Sequence, residues 1–137
     1  MRCPVSAIGV EQASRPLPNR HAAVMRRFID DVVNKGDYSV LKDLVHPDYV
    51  YRTPGQVLRG SKAIQSLFEA YRDAFPDLHI GIDELVAAGD RVALAFTLTG
   101  TQNGALMGID ATGKRVEVNG TVFSRFEGGQ IVEEWEV

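Results

Sequence analysis

The sequence predicts an α+β fold, a curved antiparallel sheet wrapped around three helices with an apolar pocket between them. Three observations carry that prediction. Helical periodicity stops at Pro76, and from Leu78 onward the chain alternates with period two between glycine-bearing turns. Helices gathered toward one end of a chain and strands toward the other are the pattern of α+β layering. The 137 residues are 45% apolar and 24% charged, enough for a single domain with its own core. A twisted antiparallel sheet of this length curls, which leaves a space between sheet and helices.

Residues 1–18 carry Pro4, Pro16 and Pro18 without periodicity and read as a poorly ordered leader, so the domain is expected over 19–137. Asn19 can cap a helix running to about Asn34, with Met25, Phe28, Ile29, Val32 and Val33 on one stripe. Lys35-Gly36 stops it. A short second helix turns Leu41, Leu44 and Val45 inward, and His46-Pro47-Asp48 breaks it. Tyr49 to Thr53 is a short strand stopped by Pro54-Gly55. A third helix starts at Gly60-Ser61, presents Ile64, Leu67, Phe68, Tyr71 and Phe75 on one face, and closes at Pro76.

Leu78 to Ala87 is the next strand, turned by Ala88-Gly89-Asp90. Arg91 to Thr101 places Val92, Leu94, Phe96 and Leu98 on one face. A glycine-rich loop over 102–113 carries Leu106 and Met107 and is expected to lie over the pocket as a lid. Lys114 to Phe126 sets Val116, Val118, Gly120, Val122 and Ser124 on one face, and Glu127-Gly128-Gly129 turns into a last strand, Gln130 to Val137.

Composition excludes several function classes. The formal net charge of -3 argues against nucleic acid or an anionic membrane as a generic partner. No apolar run reaches the roughly 20 residues of a membrane helix. The single cysteine, Cys3, permits no internal disulfide. The start lacks a continuous apolar segment, so no signal peptide is expected and the location is expected to be cytoplasmic. His21, His46 and His79 have no metal-ligand spacing, and no phosphate-cradling loop is present, so neither metal nor cofactor is expected.

The sharpest chemical signal is the last strand. Period two puts Val132, Glu134 and Glu136 on one face and Ile131, Glu133, Trp135 and Val137 on the other. Two carboxylates in an apolar pocket push each other's pKa up and are suited to acid–base work. Tyr51 and Tyr71 would add hydroxyls to walls of Phe28, Phe68, Phe75 and Leu94. Arg52 either reaches the cavity and pairs with Glu136 or points out as a surface charge. Trp135, Glu133, Val137, Thr121 and Phe123 would form the outer sheet surface, the expected contact of a two-fold homodimer.

From Asn19 to Val137 the chain resembles the SnoaL-like polyketide cyclases of the nuclear transport factor 2-like superfamily. Asn34-Lys35-Gly36-Asp37, Thr53-Pro54-Gly55, Phe75-Pro76-Asp77-Leu78, Gly89-Asp90-Arg91-Val92, Thr112-Gly113-Lys114 and Ile131-Val132-Glu133-Glu134-Trp135 carry the resemblance by their order and spacing. It implies a cone-shaped α+β barrel, often dimeric through the outer sheet face, and a catalytic Asp at the position of Glu136 with a His frequently at Glu134. The chain departs from that pattern in three places. Both carboxylate positions are Glu, the polar position of the cyclases is Val122, and the base position of the related ketosteroid isomerases is Thr53. Members also extend past the last strand with a helical tail, whereas Val137 stands on that strand, so a more open cavity is expected.

The expectation is therefore a cofactor-independent acid–base enzyme of cyclase, isomerase or lyase type, with Glu136 as acid/base and Glu134 as its modulator. Its ligand would be a small apolar molecule bearing a carbonyl, held by Tyr51, Arg52, Thr53, Phe68, Tyr71, Phe75, Leu94, Met107 and Val122. The alternatives are a non-catalytic ligand-binding or assembly module, favoured by the apolar Val122 and by Thr53, and an epoxide hydrolase- or isomerase-type activity, of which epoxide hydrolysis would need Arg52 beside a carboxylate. Fold by itself does not choose among them.

Overall fold

A computed structural model describes residues 19–106 and 108–137. The expected leader over 1–18 and the expected lid residue Met107 lie outside the described residues. Asn19 caps α1 (Arg20–Arg27), its side-chain oxygen accepting from the His21 and Ala22 amides at 2.8 and 3.3 Å. Two of the amides that a helix start leaves unpaired are thereby satisfied. The helix continues as a π-helical segment, Phe28–Asn34, rather than as regular α-helix. Phe28, Ile29, Val32 and Val33 of this segment are all buried in the core. Gly36 then ends it with a left-handed φ of 71°, and the Asp37 amide donates back to the Asp31 carbonyl at 2.8 Å.

Two side chains fix that helix end in place. Asn34 donates to the Ile80 carbonyl at 2.9 Å and accepts from the Ile80 amide at 2.7 Å, replacing a ladder partner for the outermost strand. Arg72, from the third helix, donates to the Val33 carbonyl. A 3₁₀ turn (Tyr38–Val40) leads into the one-turn α2 (Leu41–Leu44), which buries Leu41 and Leu44.

The strand expected from Tyr49 begins earlier. β1 runs Val45–Thr53 and takes in His46-Pro47-Asp48, which reads as a breaker by sequence. A register shift between Val45 and Val50 absorbs Pro47, which has no N–H to give to a ladder. Pro54-Gly55 is a two-residue turn into a strand that the sequence reading passes over, β2 (Gln56–Arg59), with Thr53 paired to Gln56. Then come α3 (Ser61–Ala74), β3 (His79–Ala88), β4 (Arg91–Thr101), β5 (Arg115–Glu127) and β6 (Gln130–Glu136).

The six strands form one curved, unclosed sheet in the order β2-β1-β6-β5-β4-β3. Its pairings are antiparallel except one: β1 runs parallel to β6, with Tyr51 beside Glu134 and Val50 beside Glu133. The expectation of an entirely antiparallel sheet is corrected at this point. The two strands are remote in sequence and joined by no hairpin, so no tight turn imposes an antiparallel direction on them.

A second correction concerns the phase of β6. A register shift between Arg125 and Phe126 puts Ile131 opposite Phe126, so Ile131 and not Val132 joins the main core, while Glu134 and Glu136 keep the inner face opposite Ser124 and Val122. Between β4 and β5, the loop is anchored on the end of α3: the Asn103 and Gly104 amides both donate to the Ala74 carbonyl, at 2.9 and 3.1 Å.

Leu94 sits at the centre of the core, fully buried between Leu85 and Val122 of the flanking strands. Leu94→Ala should lower stability by about 2–5 kcal/mol through lost burial plus an unfilled cavity, read as a shift of the urea midpoint without change in slope.

Candidate active site

The inner faces of β1, β4, β5 and β6 and the apolar faces of α1, its π-helical extension and α3 enclose a cavity of about 350 Å³. That is within the usual range for a small-molecule site. Phenyl rings of Phe28, Phe68, Phe75 and Phe96 supply much of the wall. Phe28 and Phe68 meet edge to face with centroids 5.8 Å apart. Polar groups converge at one place, where β1 and β6 run side by side.

Their parallel pairing sets two tyrosines against two glutamates. The Tyr49 hydroxyl donates to Glu134 Oε1 at 2.7 Å, and the Tyr51 hydroxyl donates to Glu136 Oε1 at 2.5 Å. Ser124, facing Glu134 across the β5–β6 ladder, donates to Glu134 Oε2 at 2.6 Å. Both oxygens of Glu134 are thus occupied, and the residue is 4% exposed. Glu136 is less buried, lines the cavity, and shares it with the hydroxyl-bearing Tyr71.

The electrostatics follow from burial. Desolvation raises the Glu134 pKa above the ordinary carboxyl value; hydrogen bonds from Ser124 and Tyr49 oppose that, and the Glu136 charge adds to it. Desolvation, together with the neighbouring carboxylates, also raises the phenols of Tyr49, Tyr51 and Tyr71. All three hydroxyls therefore remain protonated donors at neutral pH.

Of the residues singled out by sequence, the structure brings Tyr51, Phe68, Tyr71, Phe75, Val122, Glu134 and Glu136 onto one cavity. Arg52 goes elsewhere. Its Nε donates to Glu133 Oε2 at 3.1 Å on the opposite sheet face, where Arg125 holds the other oxygen of Glu133 at 3.3 Å. The outward alternative for Arg52 is the one realised, because β1 alternation puts it opposite Tyr51. Thr53 lies at the turn into β2, off the cavity wall, and Leu94 lies behind the wall in the core. Val122 is apolar and on the wall. Tyr49 is the functional-site residue that sequence reading leaves out; its signal is its period-two spacing from Tyr51, which puts both phenols on the face of the glutamates.

Leu106, in the β4–β5 loop, reaches the cavity. No group of three or more His, Cys, Asp or Glu among the described residues is placed to hold a metal ion. No helix among them is long and apolar enough to cross a membrane.

A cone of curved sheet closed by helices over an apolar cavity is the architecture of the nuclear transport factor 2-like proteins. The sequence pattern of the SnoaL-like polyketide cyclases matches residues 23–137, and the chain belongs to that family. Among solved structures, AclR from Streptomyces galilaeus is 32% identical, with 85% of this chain and 86% of that one aligned at a TM-score of 0.74. TsrD from Streptomyces laurentii is 28% identical over 89% of this chain and 90% of its own, at a TM-score of 0.77. A SnoaL-like polyketide cyclase from Agrobacterium tumefaciens, 22% identical, shares the fold over 85% of this chain and 89% of its own at a TM-score of 0.72. No curated protein sequence matches the chain.

The raised Glu134 pKa has a consequence for stability. In the folded state the carboxyl holds its proton above the unfolded value of 4.5, so between 4.5 and the raised value the folded protein binds more protons than the unfolded chain. Stability therefore falls as pH rises through that window. Urea midpoints measured across it should decline for the wild type and flatten for Glu134→Gln.

Proposed function

We propose that this protein is an acid–base enzyme that needs no cofactor and acts on an apolar, carbonyl-bearing small molecule, in the manner of a polyketide cyclase. The observation that carries this reading is the Tyr51–Glu136 pair, presented with Glu134 and the Tyr71 hydroxyl to a cavity lined mostly by aromatic and aliphatic side chains. Glu136 Oε2, the oxygen not engaged by Tyr51, takes a proton from the carbon next to the substrate carbonyl. The resulting enolate oxygen accepts a hydrogen bond from the Tyr71 hydroxyl. The enolate carbon attacks a second carbonyl of the same molecule, a carbon–carbon bond forms, and protonated Glu136 returns its proton to the new alkoxide. No atom is gained or lost, which suits a site built from carboxyl and hydroxyl groups.

Glu134 holds the geometry in this scheme. Its two hydroxyl partners immobilise it beside Glu136, whose charge adds to the rise in the Glu134 pKa. Arg52 has no part, since its guanidinium is committed to Glu133. Phe28, Phe68 and Phe75 exclude water and hold the ligand by burial.

Glu136→Gln keeps the shape and the Tyr51 contact but removes the base. Turnover of a poly-β-carbonyl substrate panel should fall by about 10²–10⁴-fold with the melting temperature preserved. A variant as active as the wild type refutes the assignment and leaves the non-catalytic ligand-binding module as the reading.

The protein is further proposed to pair through its outer sheet face. Phe123 is 48% exposed there and flanks Trp135 and Val86 in a shallow apolar groove, next to the Arg52–Glu133–Arg125 network. A two-fold axis through this face would bury the same patch on both copies. Light scattering should give a dimeric mass for the wild type and a monomeric mass for Phe123→Glu; a monomeric wild type at micromolar concentration refutes the pairing.

A further inference from the structure

We propose that Gly120 and Phe96 together form the gauge that sets how large a ring system the cavity accepts beside Glu136. The proposal rests on the reading of the cavity as the ligand site and adds to it a residue pair that selects the ligand. Gly120 lies in the middle of β5, paired directly with Phe96 of β4. Glycine there is unfavourable for a strand, because it adds backbone freedom and packs nothing. Conformation does not demand it either, since its φ lies outside the left-handed region that the turn glycines Gly89, Gly113 and Gly128 occupy.

Space does demand it. A β-carbon at Gly120 would stand 2.5 Å from Cζ of Phe96 and 2.9 Å from its Cε2, closer than such carbons approach any atom. The phenyl ring thus reaches across the ladder with its far end over Gly120. Gly120 is the next inward position after Val122, which faces Glu136 across the β5–β6 ladder. The seated ring is therefore the cavity floor adjoining the glutamate. The same device recurs at Gly100, where a β-carbon would stand 3.1 Å from Cβ and Cδ1 of Phe75, another wall ring.

If the seat is filled, the ring has one place to go. On the β3 side Phe96 is paired with Ile82, which packs against the core. Along β5, Val118 and Val122 flank Gly120 on the inner face. The open direction is up, away from the sheet and into the cavity. A methyl at Gly120 would then shorten the space beside Glu136, and a smaller side chain at Phe96 would lengthen it. The ligand class that such a floor discriminates is flat, fused-ring and hydroxyl- or carbonyl-bearing, with ring count the selected property.

The test is fluorescence titration of the full chain with 2-naphthol and with 2-hydroxyanthracene. The wild type should bind both. Gly120→Ala should keep 2-naphthol within about threefold and weaken 2-hydroxyanthracene by about tenfold or more, and Phe96→Leu in the same chain should restore it. Phe96→Leu alone, which keeps Gly120 and removes the ring, should tighten 2-hydroxyanthracene relative to 2-naphthol, so the gauge is tested even if Gly120→Ala does not fold. Equal weakening of both probes by Gly120→Ala, or a double variant that stays weak, overturns the gauge. So does a Phe96→Leu protein with an unchanged preference. A wild type that binds neither probe overturns the ligand-site reading and the gauge with it, whereas failed discrimination in a protein that binds 2-naphthol overturns the gauge alone.

Discussion

The parallel pairing of β1 with β6 is the constraint on which the rest of the site depends. It joins strands whose bonded side chains, Tyr49 and Glu134, lie 85 apart in sequence, a contact of high sequence separation. The pair is parallel with Tyr51 beside Glu134 in the ladder, so the phenols of β1 and the carboxylates of β6 share the inner face and each hydroxyl reaches forward along it to its carboxylate. Tyr49 meets Glu134, and Tyr51 meets Glu136. A slip of one residue would turn both phenols to the outer face and leave two carboxylates in an apolar cavity without donors. The polar ladder and the strand register are thus one feature seen at two scales.

Three glutamates within four residues show how far environment separates identical side chains. Glu133 faces out, held between Arg52 and Arg125 at the rim of solvent. Glu134 faces in and is saturated by hydroxyls that do not neutralise it. Glu136 also faces in, at the cavity, with Tyr51 on one oxygen only. Alternation of a strand assigns the faces, and depth along the inner face assigns the difference between the two inward residues. Burial without a compensating cation raises the Glu134 pKa, whereas Arg52 and Arg125, from the neighbouring strands, pair with Glu133 on the outer face.

The cavity persists because its walls are supported from outside it. The segment Phe28–Asn34 turns Phe28, Ile29, Val32 and Val33 inward, and Asn34 and Arg72 tie it to β3 and α3. Glycines at Gly100 and Gly120 leave room for Phe75 and for the far end of the Phe96 ring against the sheet. Close packing everywhere else is compatible with one large void only if rings and helices are held away from it in this manner.

Much of this was legible beforehand. The α+β class, the turns at Gly36, Gly89 and Gly128, the inward Phe68, Tyr71 and Phe75, and the shared face of Glu134 and Glu136 all follow from period and turn chemistry, which are local properties of the chain. Other features lie outside any local signal. The direction of β1 against β6, the short β2, the phase change that carries Ile131 inward and the exile of Arg52 to Glu133 depend on partners far away in sequence. Tyr49 shows the boundary most clearly. Its face was readable from Tyr51, but its partner, 85 residues on, was not. The sequence by itself determined which residues share a face within each unbroken element, because alternation and helical spacing are written into neighbouring positions. Only the tertiary structure decided which of those inward groups meet, because hydrogen-bond partners and desolvation are set by residues that the fold, not the chain order, makes adjacent.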